Sequence, residues 1–174
     1  MTGTPSCQRP INVEVMQLCL GPGPVLGYHV VRGCLPDATS PDDYALTLSG
    51  VRSGEPGGVC HSTSWRYENG VVVLTYAATP VRLFGALTPL IEPAIVCSMD
   101  PLRPAPGSLH AHHVAAHAVR HLAYLAEHDP AIAQASLRRP HLWSALRCAA
   151  AEMPVAPHAL AHTMARSASS PQPA

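Results

Sequence analysis

The sequence predicts an α+β fold, in which a mostly antiparallel sheet of about five short strands (residues 11–98) is followed by three or four helices packing on it. Up to about residue 98, apolar residues form short runs separated by Gly and Pro, and several runs alternate apolar with polar residues as strands do. From residue 108 onward, the apolar residues recur at helical spacing. Between the two halves, residues 100–107 (DPLRPAPG) predict a stiff proline-rich connector.

The first half of the chain contains the predicted strands. Besides a hairpin at 60–78, these are residues 11–20 (INVEVMQLCL), 25–32 (VLGYHVVR), 44–49 (YALTLS) and 94–98 (AIVCS). The first two flank a Gly-Pro-Gly-Pro turn and are expected to pair with each other. In the third, Tyr44, Leu46 and Leu48 fall on one side, as in a half-buried strand. Residues 80–93 are apolar but broken by prolines, so they are expected to pack on the core or cover a groove.

The hairpin at residues 60–78 (CHSTSWRYENGVVVLTYAA) is the strongest local signal. Asn69-Gly70 tolerates the positive φ of a two-residue type I′ turn, which sets Glu68 opposite Val71 and Arg66 opposite Val73. Side-chain alternation then gathers most of the large residues on one face. That face contains His61, Thr63, Trp65, Tyr67, Val72, Leu74 and Tyr76. Its aromatic and aliphatic side chains predict that this face is buried.

The opposite face of the hairpin carries a polar patch made of Ser62, Ser64, Arg66 and Thr75. One interpretation is a solvated outer face, as many antiparallel sheets have. The other is a ligand-binding surface on which Arg66 holds an anionic group and the hydroxyls form hydrogen bonds. His61, at the open end of the hairpin, is either a buried hydrogen-bonded histidine or a catalytic acid/base or metal ligand.

The second half of the chain predicts four helices. They cover about 109–128, 130–137, 140–153 and 157–168. Ser108 is a suitable N-cap for the first, Asp129-Pro130 supplies the cap and first residue of the second, and a proline begins each of the others. In the first helix, an apolar arc from Ala111 to Ala126 is expected to cover the aromatic face of the hairpin.

A strip of histidines lies opposite that apolar arc. His113, His117 and His121 follow one another four residues apart, which stacks their side chains on one helix face. Such a strip is either a solvated face or a chelating pair for Zn²⁺ or another transition metal, which would take a third ligand from His61, Asp100 or His162. The solvated alternative predicts imidazoles that gain protons near pH 6.5 and make the helix repel itself in acid.

Composition limits the class of protein. The 174 residues predict a single α+β domain over residues 11–168, comprising a sheet part (11–99), the connector and a helical part (108–168), between a flexible segment 1–10 and a disordered tail 169–174. Hydrophobic residues make up 47% and charged residues 13%, which is typical of a globular chain. The six scattered cysteines and the lack of a membrane-length apolar run predict a cytoplasmic protein with reduced thiols and no membrane contact.

Several chemistries are excluded by what the sequence lacks. All eleven basic residues are arginine, so neither a Walker A lysine nor a Schiff-base lysine is present. GxSxG, GxGxxG, HExxH and paired-glutamate motifs are absent, and zero formal charge without a basic stripe argues against nucleic-acid binding.

Two functional hypotheses follow. The first is a non-catalytic module that binds a small ligand or a protein and needs no cofactor, through the Arg66 face or a groove under residues 81–91. The alternative is a small-molecule hydrolase or transferase that uses His61 as acid/base, with or without a metal on the His113/His117/His121 strip. The ligand, the partner and the oligomeric state stay open.

Overall fold

A five-stranded sheet lies between one helix on one face and three helices on the other. The computed structural model describes residues 11–23, 25–80, 85–98, 106 and 109–157. The strands are β1 (Ile11–Leu20), β2 (Leu26–Cys34), β3 (Cys60–Glu68), β4 (Val71–Ala78) and β5 (Thr88–Pro89), in the order β3-β4-β1-β2-β5. β1 and β4 run parallel, and every other neighbouring pair in this sheet is antiparallel. The predicted fold class, a mostly antiparallel sheet followed by helices, is confirmed.

The segment predicted as a third strand is a helix, α1 (Pro41–Ser49), so that prediction was wrong. Pro41 occupies the first helical turn, Asp42 and Asp43 lie at the positive end of the helix dipole, and Gly50 ends the helix with a φ of 71°. The apolar residues of this segment also fit helical spacing, since Ala45 is buried beside its partly buried neighbours. The six residues that alternate in the sequence are too few to distinguish the periodicity of a helix from that of a strand.

The two faces of the sheet have separate hydrophobic cores. α1 covers the face that contains Val13, Val15 and Tyr76. The opposite face, with Met16 and Leu18, packs against α2 (Ala111–His128), α3 (Pro130–Ser136) and α4 (Pro140–Glu152). The largest fully buried side chain on this helical side is Trp143 of α4.

The hairpin has the predicted turn, and the predicted register holds from Glu68 back to Ser64. Asn69 and Gly70 both have positive φ, and Arg66 lies opposite Val73, as does Trp65 opposite Leu74. However, the face carrying Trp65 and Tyr67 is not buried there, because these side chains are 71% and 56% exposed. β3 is an edge strand, and the nine residues of α1, about 13 Å long, cover only the part of this face near the open end of the hairpin. The expected burial of Trp65 was therefore wrong.

Two helices of the second half, α3 and α4, begin where the sequence predicted. α2 begins at Ala111, after the predicted Leu109, with His110 as its N-cap, and the predicted cap Ser108 lies outside the described residues. The Asp129 carboxylate accepts hydrogen bonds from the backbone N–H groups of Ala131 and Ile132, which caps α3, and α4 starts at Pro140. The buried residues of α2 agree with the predicted apolar arc, although they face the sheet beside Met16 and Ala77 and not the aromatic side chains of the hairpin. Among the described residues, no helix combines the length and apolar character needed to cross a bilayer.

A second, two-stranded sheet lies beside α2. The predicted strand at 94–98 is observed as β6 (Ile95–Cys97), but it pairs in parallel with β7 (Val155–Pro157) and does not join the main sheet. Ile95 is buried. Pro157, the predicted start of the fourth helix, is the last residue of β7. The rest of that predicted helix, the flexible segment 1–10, the tail 169–174 and most of the connector lie outside the described residues.

Candidate functional site

A cleft of about 220 Å³ opens between β3, β6 and the first half of α2, and we call it the β3–α2 cleft. Its polar lining residues are Ser64, Arg66, His113 and His117. Its apolar lining residues are Trp65, Ile95, Val96, Pro106, Leu109 and Val114. The cleft thus combines two of the predicted ligand-binding residues with two histidines of the predicted strip.

Arg66 is held at the cleft by a buried ion-pair network. Its two terminal nitrogens donate to Glu14 Oε1 at 2.8 Å and Oε2 at 3.1 Å, and they also donate to Thr75 Oγ1 at 3.0 Å and Glu68 Oε2 at 3.1 Å. Arg32 Nε donates to Glu14 Oε2 at 2.5 Å. Two guanidinium groups therefore face two carboxylates, and their charges balance. The Arg66 nitrogens expected to hold a ligand's anionic group are bonded to protein carboxylates.

Glu14 is ionised although its side chain has no exposure. Burial raises the pKa of Glu14, but the hydrogen bonds and positive charges of Arg66 and Arg32 outweigh burial and hold the pKa below its usual value. Glu14 is not among the site residues predicted from the sequence. The signal was present, because Glu14 is the one acidic residue in INVEVMQLCL and shares the phase of Met16 and Leu18, which are core residues.

A β-bulge between Ser62 and Ser64 divides the residues predicted to bind a ligand. Ser64 and Arg66 line the β3–α2 cleft, and Thr75 is fully buried beside Arg66. Ser62 lies opposite Tyr76 and lines a different cleft beside α1.

The bulge also changes the side of the sheet on which His61 lies. His61 is opposite Ala77, which places it on the same side of the sheet as Arg66. The ideal register had predicted the opposite side.

The predicted histidine strip lies along the β3 edge of the sheet. The rings of His61 and His121 have centroids 5.4 Å apart, and those of His117 and His121 are 6.3 Å apart. At the start of the helix, the backbone N–H of His110 donates to His113 Nδ1 at 3.3 Å. Among the described residues, His121 Nε2 is buried without a hydrogen-bond partner. The strip is therefore partly covered by β3, with His117 its exposed member.

The described residues do not place His113, His117 and His121 in a cluster that could bind a metal ion. Within the described part of the chain, no three or more His, Cys, Asp or Glu residues are placed to share a metal ion. Two of the three proposed additional ligands, Asp100 and His162, lie outside that part.

Acid is expected to destabilise the contact between α2 and β3. Burial lowers the pKa of His121, and the neighbouring His61 and His117 lower it further. When folding lowers the pKa of a histidine, the neutral ring favours the folded state. This stabilisation is fully present above the pKa of about 6.5 that the residue has in the unfolded chain, and it is lost as pH falls through the lower pKa of the folded state. We therefore expect the urea midpoint to fall between pH 7.5 and pH 5, and to fall less in H121Q. Equal pH dependence of the two proteins would contradict this.

A second cleft, of about 380 Å³, lies between α1 and β3, and we call it the α1–β3 cleft. It is lined by Asp42, Asp43, Leu46, Cys60, His61, Ser62 and Tyr76. Tyr76 Oη donates to Asp42 Oδ1 at 2.5 Å, and burial together with this hydrogen bond raises the pKa of Tyr76. Burial also raises the pKa of the Cys60 thiol to about 11, so Cys60 is a neutral thiol and not a thiolate nucleophile.

Comparison with known proteins gives no family for this chain. No protein-family model matches it, and neither the curated proteins nor the solved structures contain a significant match. The function is therefore inferred from the clefts and their chemistry.

Proposed function

We propose that the protein is a non-catalytic binding module that holds a small, mostly apolar molecule in the β3–α2 cleft. The observation that carries this proposal is the composition of the cleft, whose apolar walls surround a few convergent polar groups. Small-molecule sites commonly have this composition. At about 220 Å³, the cleft is smaller than the roughly 300–1,000 Å³ of sites for drug-sized ligands, which favours a small occupant.

The charges around the cleft favour a neutral ligand. Arg66 is balanced by Glu14 and Glu68, so the cleft floor supplies little net charge. The Ser64 hydroxyl and the His117 imidazole can both donate and accept hydrogen bonds. Trp65 borders the cleft, but its side chain lies on the α1 side of the sheet with Leu74, opposite Arg66. A small planar heterocycle or amide suits this arrangement.

Filling the cleft is expected to abolish this binding. His117 is exposed and lines the cleft, so H117F places a larger apolar ring in the site with little effect on the fold. Saturation-transfer NMR against a library of neutral heterocycles and amides should give hits whose affinity falls by about tenfold or more in H117F. R120F alters an exposed residue of the same helix outside the cleft lining and should leave affinity unchanged. Hits that bind both variants and the parent protein equally would contradict the proposal.

The cysteines support a reducing compartment for this module. All five cysteines among the described residues are free thiols. Proteins of the cytoplasm keep their thiols reduced, so a cytoplasmic location is consistent with them.

A second candidate, a hydrolase or transferase, is favoured by the α1–β3 cleft. This cleft is lined by Ser62, Asp42 and Tyr76, and by His61 of the edge strand, whose ring lies on the α2 side of the sheet beside His121. Histidine, tyrosine and aspartate are residue types used in acid–base chemistry. His61 Nδ1 lies 2.7 Å from the carbonyl oxygen of Ser62. When Nδ1–H donates to that carbonyl, Nε2 is left to accept a proton. Ligand binding in this cleft, and not in the β3–α2 cleft, would favour this candidate.

A further inference from the structure

A third groove, of about 440 Å³, lies where β1 ends against the start of α4. Its described lining residues are Cys19, Leu20, Arg138, Arg139, Pro140, His141 and Leu142. None of them is acidic, and three carry cationic or protonatable side chains. It is separate from both clefts described above.

Arg139 is fixed in this groove without a carboxylate partner in the described part of the chain. Its Nη1 donates to the carbonyl oxygens of Thr79 at 2.8 Å and Pro80 at 2.9 Å, just beyond the end of β4. These carbonyls orient the guanidinium but do not neutralise its charge. The ion pairs among the described residues join only Arg32 and Arg66 to Glu14 and Glu68. A partly buried, oriented guanidinium without a counter-charge is suited to binding an oxyanion.

The neighbours of Arg139 add to its positive field. Arg138 precedes it in the chain with an exposed side chain, and His141 lies in the first turn of α4. Two guanidinium groups and an imidazole around one groove favour an anion with more than one negative charge over a monoanion. The same groove also has apolar walls, from Leu20 and Leu142.

We propose that this groove binds a small organic phosphate, with the phosphate group on Arg138, Arg139 and His141 and the apolar part against Leu20 and Leu142. A phosphate monoester carries nearly two negative charges at neutral pH, which matches the cationic side chains, and guanidinium groups bind its oxygens in pairs. The volume of the groove leaves space for an organic group beside the phosphate.

Isothermal titration calorimetry of the full chain with phenyl phosphate tests this site. We expect saturable binding that weakens by about tenfold in R138Q, which removes an exposed guanidinium and should not affect folding. R147Q removes the same charge from an exposed position on α4 outside the groove and should bind like the parent protein. Benzoate, which offers a single negative charge on a similar ring, should bind more weakly than phenyl phosphate.

Three results would overturn the proposal. They are the absence of saturable binding below about 10 mM phenyl phosphate, equal weakening by R138Q and R147Q, and benzoate binding as tight as that of phenyl phosphate. Unchanged melting temperatures of both variants would confirm that the comparison concerns binding and not folding. Neither variant alters the β3–α2 cleft, so this test is independent of the function proposed there.

Discussion

Replacing Trp143 with alanine is expected to lower the free energy of unfolding by about 3–5 kcal/mol. Trp143 has no exposure and packs with Leu122 and Leu146 in the core between the sheet and the helices. Its indole Nε1 has no hydrogen-bond partner among the described residues, so the loss reflects packing and the cavity left behind. Urea denaturation followed by circular dichroism measures this change.

Trp65 provides a matched control for that measurement. It is 71% exposed, so W65A should change the free energy of unfolding by no more than about 0.5 kcal/mol. A large loss in W65A, or a small one in W143A, would show that the helical core and the exposed hairpin face are assigned wrongly.

Replacing Arg66 with methionine is expected to destabilise the protein by about 3–5 kcal/mol, because it leaves the buried Glu14 carboxylate with Arg32 as its remaining charged partner. In the parent protein, the ionised Glu14 carboxylate contributes its full stabilisation of the folded state above the ordinary glutamate pKa of 4.5. It is lost as pH falls through the lower folded pKa. Denaturation at pH 7 is therefore the appropriate measurement.

The double variant E14M/R66M distinguishes a broken ion pair from a general packing defect. Since the uncompensated buried carboxylate is removed together with its partner, the double variant should recover much of the stability lost in R66M. If the double variant is less stable than R66M, the carboxylate left behind is not the cause of the loss.

Local signals in the sequence predicted much of the fold. Asn69-Gly70 determined the hairpin register, and Asp129-Pro130 and Pro140 marked two helix starts. The failures depended on contacts between distant residues. Whether Trp65 is buried depends on β3 being an edge strand, and the bulge that reorients His61 lies within a strand whose alternation looks regular in the sequence.

The candidate site was only partly predictable for the same reason. Ser64, Arg66 and His117 were identified from residue type and spacing, and they do line one cleft. The ion pair of Arg66 with Glu14 joins residues 52 positions apart, and the β6 wall of the cleft is placed by its parallel pairing with β7. Neither has a local sequence signal, so the three-dimensional structure was needed to show that Arg66 is already neutralised.

The most direct test of the proposed function is to map amide chemical shifts of the ¹⁵N-labelled protein during titration with the tightest-binding fragment. We expect the largest shifts at Ser64, Trp65, Val96 and the first half of α2, with saturation in the parent protein and loss in H117F. Shifts centred on Asp42, Cys60 and Ser62 would place the ligand in the α1–β3 cleft, and the proposed binding module would be contradicted in favour of the enzyme.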